Sequence, residues 1–249
     1  MKLLIVSDIH GNWLALNAVL AAEPGVDAIL CLGDLVNYGP HPVECVEWAQ
    51  KNTRPGWIVQ GNHDYAFGSD ADPRCSALYR QLAAAMQRAT AGGLAIAQKD
   101  YLAQLPVTVT QILDGATCVF CHAVPSDPLF GYCPPDAGQA RWIDEAIQAQ
   151  RPDFLLVGHT HLQFIRRVGR TTVVNPGSVG QPKGGGGPHA AYAVWHDRKI
   201  SLKRAAYDIE AVVADIEAVA PPHIARLLIH VLRTAGELPP AVEASARHV

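Results

Sequence analysis

The chain predicts an α/β fold built on parallel strands with helices covering both faces. Two observations carry this. Short, largely apolar runs of strand length recur at 2–7, 28–32 and 57–59. Each gives way to a polar loop, and a helical pattern follows, so the order strand, loop, helix repeats. A third observation adds to it: antiparallel hairpin signals dominate from residue 106 onward, which suggests a second sheet packed on the first.

The elements follow in order. Residues 2–7 end in Asp8-Ile9-His10-Gly11-Asn12, where Asn12 can cap a helix over 13–22 whose Trp13, Leu16, Val19 and Leu20 share one face. The run 28–32 leads into Gly33-Asp34, and a helix is expected near 42–52. Trp57-Ile58-Val59 leads into a polar loop, Gly61-Asn62-His63-Asp64. The Ala-, Gln- and Leu-rich stretch 76–104 reads as helical. Val107–Ile112 and Thr117–Cys121 flank Asp114-Gly115, a hairpin signal. A helix is expected over 136–150, then a buried strand Phe154–Val157 ending in Gly158-His159-Thr160-His161. Strand pairs 163–168 with 171–174, and 190–195 with 199–205, belong to the expected second sheet. Gly184–Gly187 reads as a surface loop. Residues 208–219 and 223–235 carry apolar residues at helical spacing and read as packing helices. The expected division is a main domain over 1–207 and a C-terminal helical extension over 208–249 packed on it.

Composition narrows the function. With 49% hydrophobic and 17% charged residues, a chain of this length can bury a large core without disulfides. The net charge is −3 and no basic stripe is visible, so tight nucleic-acid binding is not expected. Of the six cysteines, Cys31, Cys118 and Cys121 lie in apolar strand runs and read as buried thiols. Cys118 and Cys121 fall on opposite faces of one strand, which argues against a redox pair. The opening segment meets an acid too soon for a signal peptide, and no run of about 18 apolar residues exists for a membrane span. A cytoplasmic location is expected.

One constellation stands out. The strand runs end in Asp8 and His10, Asp34, Asn62 and His63, His122, and His159 and His161. Singly these are ordinary: a D-x-H match, a Gly-Asp turn and a lone histidine are common. Together, each beyond the carboxyl end of a strand, they gather in one crevice of an α/β sheet. Mixed imidazole, carboxylate and amide donors suit Mn, Fe, Zn, Co or Ni and not calcium. Two such ions about 3.5–4 Å apart need a bridging group. Asp34 is the natural bridge, because its loop lies between the other two N-terminal ligand loops.

D-x-H, G-D, G-N-H-D, a lone His and G-H-T-H, in that order, resemble the calcineurin-like metallophosphoesterase superfamily. Asp8–Asn12, Leu32–Val36 and Asn175-Pro176-Gly177-Ser178-Val179-Gly180 look most like its small bacterial YfcE-like phosphodiesterase branch. The resemblance covers about residues 1–207. It implies a four-layer α/β/β/α sandwich of two mixed sheets flanked by helices. It places one metal on Asp8, His10, Asp34 and His161, and a second on Asp34, Asn62, His122 and His159. It makes His63 the residue that protonates the leaving oxygen or steadies the transition state, with Asp64 orienting it. Two divalent transition ions are implied, manganese favoured, with a hydroxide between them attacking phosphorus.

The sequence departs from the phosphatase members of that superfamily at Asn37 and Tyr38, where they carry a phosphate-clamping arginine after an aspartate. Asn37 and Tyr38 look suited to a less charged substrate edge. The expected activity is hydrolysis of small phosphate esters, phosphodiesters ahead. The alternatives are a phosphomonoesterase or nucleotide pyrophosphatase on the same site, or a non-catalytic scaffold of this fold, which an intact ligand set argues against.

Overall fold

A computed structural model of the protein describes residues 1–184 and 187–237. Strand β1 (Lys2–Val6) sits centrally in a four-stranded sheet with β2 (Ala28–Cys31), β8 (Ala190–His196) and β9 (Lys199–Ala205), in the order β2-β1-β8-β9. The second sheet holds β3 (Thr108–Leu113), β4 (Ala116–Cys121), β5 (Phe154–Leu156), β6 (Phe164–Val168) and β7 (Thr171–Asn175), in the order β3-β4-β5-β7-β6. Both sheets are mixed. β1 runs parallel to β2 and antiparallel to β8; β4, β5 and β7 run parallel, while β3 and β6 close the edges antiparallel.

The alternation of side chains along β1 shows why its sequence is apolar throughout. Leu3 and Ile5 face the second sheet, where they meet Phe120, Leu156 and Val174, with Trp195 of the neighbouring β8 on the same face. Leu4 and Val6 face the other way, toward helices α1 (Trp13–Ala22) and α2 (Pro42–Asn52), and pack with Leu16, Val19, Val46 and Trp48. The second sheet repeats the arrangement: Val119, Cys121, Leu155 and Val173 pack under Trp142 of α6 (Gln139–Gln148). Strands buried on both faces carry no polar alternation. The four layers implied by the resemblance are therefore present. Cys118 and Cys121 lie in different cores, and all six cysteines are free thiols.

Several expectations hold closely. Asn12 caps α1 by accepting from the Ala15 amide, 3.1 Å. Asp114 (φ 47°) and Gly115 (φ 76°) turn the β3–β4 hairpin in the left-handed conformation that tight hairpins favour. Others are corrected. The hairpin of β8 and β9 joins the first sheet, because β8 pairs with β1; local pattern carries no information about which sheet a hairpin enters. Trp57–Val59 forms only an isolated bridge to Cys31, since the chain diverges after one pair. The stretch 76–104 breaks into α4 (Ala77–Thr90), a short 3₁₀ turn and α5 (Ile96–Gln104), around Gly92-Gly93. The polar loop expected at 61–64 is instead the start of a helix, α3 (Asn62–Ser69).

Helices α7 (Ile209–Val219) and α8 (Pro222–Arg233) pack Val212, Ile216, Ile224 and Leu228 against Leu82 and Met86 of α4. The expected extension continues to residue 249, but 238–249 lie outside the described residues, as do 185–186 of the expected glycine loop. Among the described residues no helix is long and apolar enough to cross a membrane.

Phe120, fully buried between the sheets, and Ile112, 65% exposed on β3, give a stability test. Phe120→Ala should cost about 3–5 kcal/mol and Ile112→Ala roughly 0.5 kcal/mol or less. Denaturant melts of both variants check this; similar losses would mean that the sheets do not share a core.

Candidate metal centre

The site is assembled by hydrogen bonds between loop backbones at the strand ends. The Asp8 amide donates to Gly33 O (3.0 Å), that of His10 to Asp34 O (2.9 Å) and that of Gly158 to His122 O (2.7 Å). Glycine is required where two of these loops interlock. A side chain on Gly33, which has φ 89°, would come within 2.5 Å of the Gly61 nitrogen, and one on Gly61 would occupy the Asp34 carboxylate. Five of the seven predicted ligands, Asp8, His10, Asp34, His159 and His161, have φ between 49° and 63°. Non-glycine residues adopt this region rarely and concentrate in it at functional sites.

The histidines are oriented by backbone carbonyls. His10 Nδ1 donates to Val36 O (3.1 Å), His122 Nδ1 to Leu32 O (2.7 Å) and His161 Nδ1 to Gln181 O (2.7 Å). In the neutral ring each Nε2 is then a bare acceptor. Those acceptors point at one another. His10 Nε2 lies 3.1 Å from His161 Nε2, and His161 Nε2 lies 3.3 Å from Asp8 Oδ1. His122 Nε2 lies 3.2 Å from Asp34 Oδ2 and 3.0 Å from Asn62 Oδ1, which is itself 3.1 Å from His159 Nδ1. Asn62 Nδ2 donates to Pro73 O (2.7 Å), so its oxygen is the atom turned inward. Asp34 Oδ2 also lies 3.7 Å from His10 Nε2, which puts it between the two groups.

All seven predicted ligands are thus brought together. Asp8 with His10 and His161, and Asp8 with Asp34 and His122, present donor atoms at the mutual distances a metal requires. Asp8 Oδ1 is buried with no hydrogen-bond partner, and a desolvated anionic oxygen among bare nitrogens is strongly unfavourable without a cation. The donor set fits divalent transition ions. The family's metal dependence therefore agrees with the chemistry of these side chains.

Proton affinities show the same demand. Burial, with Asp34 adding, pushes the Asp8 carboxyl up to about 7. Burial pushes His10 down to about 4 and His159 down to about 3, and lowers His161 as well, the Lys183 charge adding to it. Burial also disfavours charge on His122, but Asp34 outweighs it and raises that ring to about 10. Without metal, the cluster holds protons where cations belong.

Two role expectations are corrected. Asp64 does not touch His63. Its carboxylate accepts from the Asp34 amide (2.7 Å), the Leu35 amide (2.8 Å) and the Gly61 amide (3.1 Å). At the first turn of α3 it caps the helix and fixes the Asp34 loop at once. His63 is oriented by the residues assigned to the substrate edge. Asn37 Nδ2 donates to His63 Nδ1 (3.0 Å), leaving the His63 proton on Nε2, 3.2 Å from the Tyr38 hydroxyl. Asn37 and Tyr38 are both buried; Tyr38 lines the cavity, while Asn37 stands behind His63.

Other residues escaped sequence reasoning. Asn175 Nδ2 donates to Gly158 O (2.7 Å) and Thr160 Oγ1 (3.1 Å), fixing the loop that carries His159 and His161. Ser178 Oγ donates to Asp8 O (2.7 Å). The Asn-Pro-Gly-Ser run was the available signal for both. A cavity of about 360 Å³ opens over the metal cluster, lined by His63, Arg74, Tyr79, Phe130, Tyr132 and Lys183 among others. Its size is in the ~300–1,000 Å³ range of small-molecule sites. Arg74 stacks over Phe130 at 4.3 Å, and Lys183 Nζ lies 4.8 Å over Tyr79.

Comparison with known proteins gives the same reading. The calcineurin-like phosphoesterase superfamily domain matches residues 1–198. An uncharacterized protein of Methanocaldococcus jannaschii is 30% identical over 226 residues, covering 83% of this chain and 88% of its own. The phosphodiesterase YfcE of Escherichia coli is 27% identical over 199 residues, covering 74% of this chain and 83% of its own. The crystal structure of a metallophosphoesterase from Sphaerobacter thermophilus superposes with a TM-score of 0.73 at 29% identity, over 93% of this chain and 99% of that one.

Two predictions follow from the geometry. Asp64→Asn removes the anionic acceptor from all three amide donors and turns an NH2 group toward at least one of them, so metal affinity should fall about 10–100-fold, read by calorimetric metal titration; unchanged affinity with lowered turnover would return Asp64 to a catalytic role. Metal entry must expel the protons on Asp8 and His122, so binding should release protons and weaken as pH falls through about 10, where His122 takes its proton, and more steeply below about 7, where Asp8 does. Titration in weak buffer with an indicator dye measures this; binding with no proton release would contradict it.

Proposed function

This chain belongs to the calcineurin-like phosphoesterase superfamily, and from that premise we propose that it hydrolyses phosphate esters with two divalent transition ions, phosphodiesters ahead of monoesters. The observation that carries the binuclear reading is the pair of acceptor groups with Asp34 Oδ2 between them. Asp8, His10 and His161 form one group, and Asn62, His122 and His159 the other. The phosphodiester preference draws on the similarity to YfcE. Manganese is the favoured ion, as the family resemblance implies; the mixed nitrogen and oxygen donors suit iron, zinc, cobalt or nickel as well.

When bound, such ions supply a water activated near neutral pH and positive charge beside the phosphoryl oxygens. The chain supplies the rest. Backbone carbonyls aim the imidazoles, and Asp64 holds the Asp34 loop. His63 faces the cavity as a neutral ring, since burial pushes its pKa down to about 3. A neutral imidazole is a poor proton source at pH 7, and the one N–H of His63 lies 3.2 Å from the Tyr38 hydroxyl, which a phosphoryl oxygen would displace as acceptor. We therefore assign His63 to holding the charge that develops on phosphoryl oxygen.

His63→Ala should keep its metals and lose about 10²–10³-fold in kcat. The loss should be the same, within a few-fold, for an alkyl ester and for a nitrophenyl ester. A much smaller loss on the nitrophenyl ester would make His63 the proton donor to the leaving group instead. Asp34→Asn should reduce occupancy of both metals and His10→Ala mainly of one, by elemental analysis. Chelation should abolish hydrolysis and manganese restore it. Absence of metal uptake under any condition would overturn the proposal.

A further inference from the structure

Sequence comparison leaves the substrate side of the site without a cation, because the phosphate-clamping arginine is absent from its usual place. The fold supplies one from elsewhere. Lys183 lies in the segment after β7, two residues beyond Gln181, whose carbonyl accepts from His161 Nδ1 (2.7 Å). The Lys183 amide in turn donates to His161 O (3.4 Å). Its side chain lines the cavity over the metal cluster, with Nζ 4.8 Å above the Tyr79 ring. Among the described residues it takes part in no salt bridge.

The stem of this lysine is held as well. Gly236, just after α8, has φ 96°, and a Cβ there would sit 2.5 Å from Lys183 Cγ and 3.2 Å from its Cβ. The Tyr79 hydroxyl donates to Gly236 O (3.5 Å). Lys183 is thus confined between a ring from α4 and a bare stretch of backbone after α8. A long, flexible side chain is thereby limited to one side of the cavity. An ammonium on the wall of a site that handles anions, with its stem fixed and, among the described residues, no carboxylate closer than the more distant charge of Asp8, is placed to receive an anionic oxygen.

We propose that Lys183 is a substrate-binding residue whose ammonium holds a non-bridging oxygen of the phosphoryl group, and that Gly236 and Tyr79 position it. The assignment rests on the phosphoesterase reading above. It gives the C-terminal helices a part in the site, since α8 delivers Gly236 to the cavity wall.

The test uses the metal-loaded full-length protein and inorganic phosphate as the probe, with binding read by calorimetry and by competitive inhibition of ester hydrolysis. Lys183→Met should weaken phosphate binding about 10–100-fold, the effect of losing one hydrogen bond to a charged group, with metal content unchanged. Lys183→Arg should recover most of it. On esters, the Met variant should raise KM more than it lowers kcat, and more for a monoester dianion than for a diester monoanion. Gly236→Ala should move phosphate affinity in the same direction by a smaller factor, and it serves if Lys183→Met does not fold. Wild-type phosphate affinity in Lys183→Met, or an Arg variant as weak as the Met variant, would overturn the assignment. A protein that binds phosphate through Lys183 yet hydrolyses no ester would instead remove the proposed activity and leave this one standing.

Discussion

Everything in this molecule is arranged around a buried cluster with more lone pairs than protons to share. Four imidazole nitrogens, two carboxylates and an amide oxygen meet, each within hydrogen-bond distance of another. Left alone, such a cluster is repulsive and desolvated. It persists because each group is held from behind: rings by the carbonyls of Leu32, Val36 and Gln181, and the Asn62 amide by Pro73 O. The Asp34 loop is held by three backbone amides gathered on Asp64. The strain of five left-handed ligand residues belongs to the same account. A left-handed non-glycine residue costs of order 1–2 kcal/mol, which the double-sheet core beneath must offset.

That core explains why so much of the architecture could be read from the chain. Strands buried on both faces are apolar at every position, so their ends are marked sharply by the first polar residue. Asp8, Asp34, His122 and His159 are those first polar residues or stand one step beyond. The site was legible for the same reason as the strands. Hairpins were legible through Asp114-Gly115, where turn chemistry is local.

What escaped the sequence is what depends on distant pairing. The β8–β9 hairpin has the same local pattern whichever sheet it enters, and only its register with β1 decides. Asp64 follows His63 directly, yet successive positions in the first turn of α3 point about 100° apart, so adjacency misled. Asn37 and Tyr38 read as a substrate edge because their neighbour in space, His63, is not their neighbour in the chain. Lys183 carries no motif at all. A lysine before a glycine run gains its meaning from Tyr79 and from Gly236, which come from opposite sides of it in the chain.

The pairing of β1 with β8 also sets an order on the birth of the molecule. Lys2 finds His196 across the ladder, and His10 finds His161 at a separation of 151 residues. A chain made from its N-terminus therefore presents Asp8, His10, Asp34 and Asn62 to the cell long before their counterparts exist. Contacts of such sequence separation form slowly, and until then β1 has an open edge, the kind of surface on which unfinished chains associate. A cation met early can find only half its donors. The centre cannot close until the ribosome has passed the loop bearing His159 and His161, so its full set of donors exists only late in synthesis.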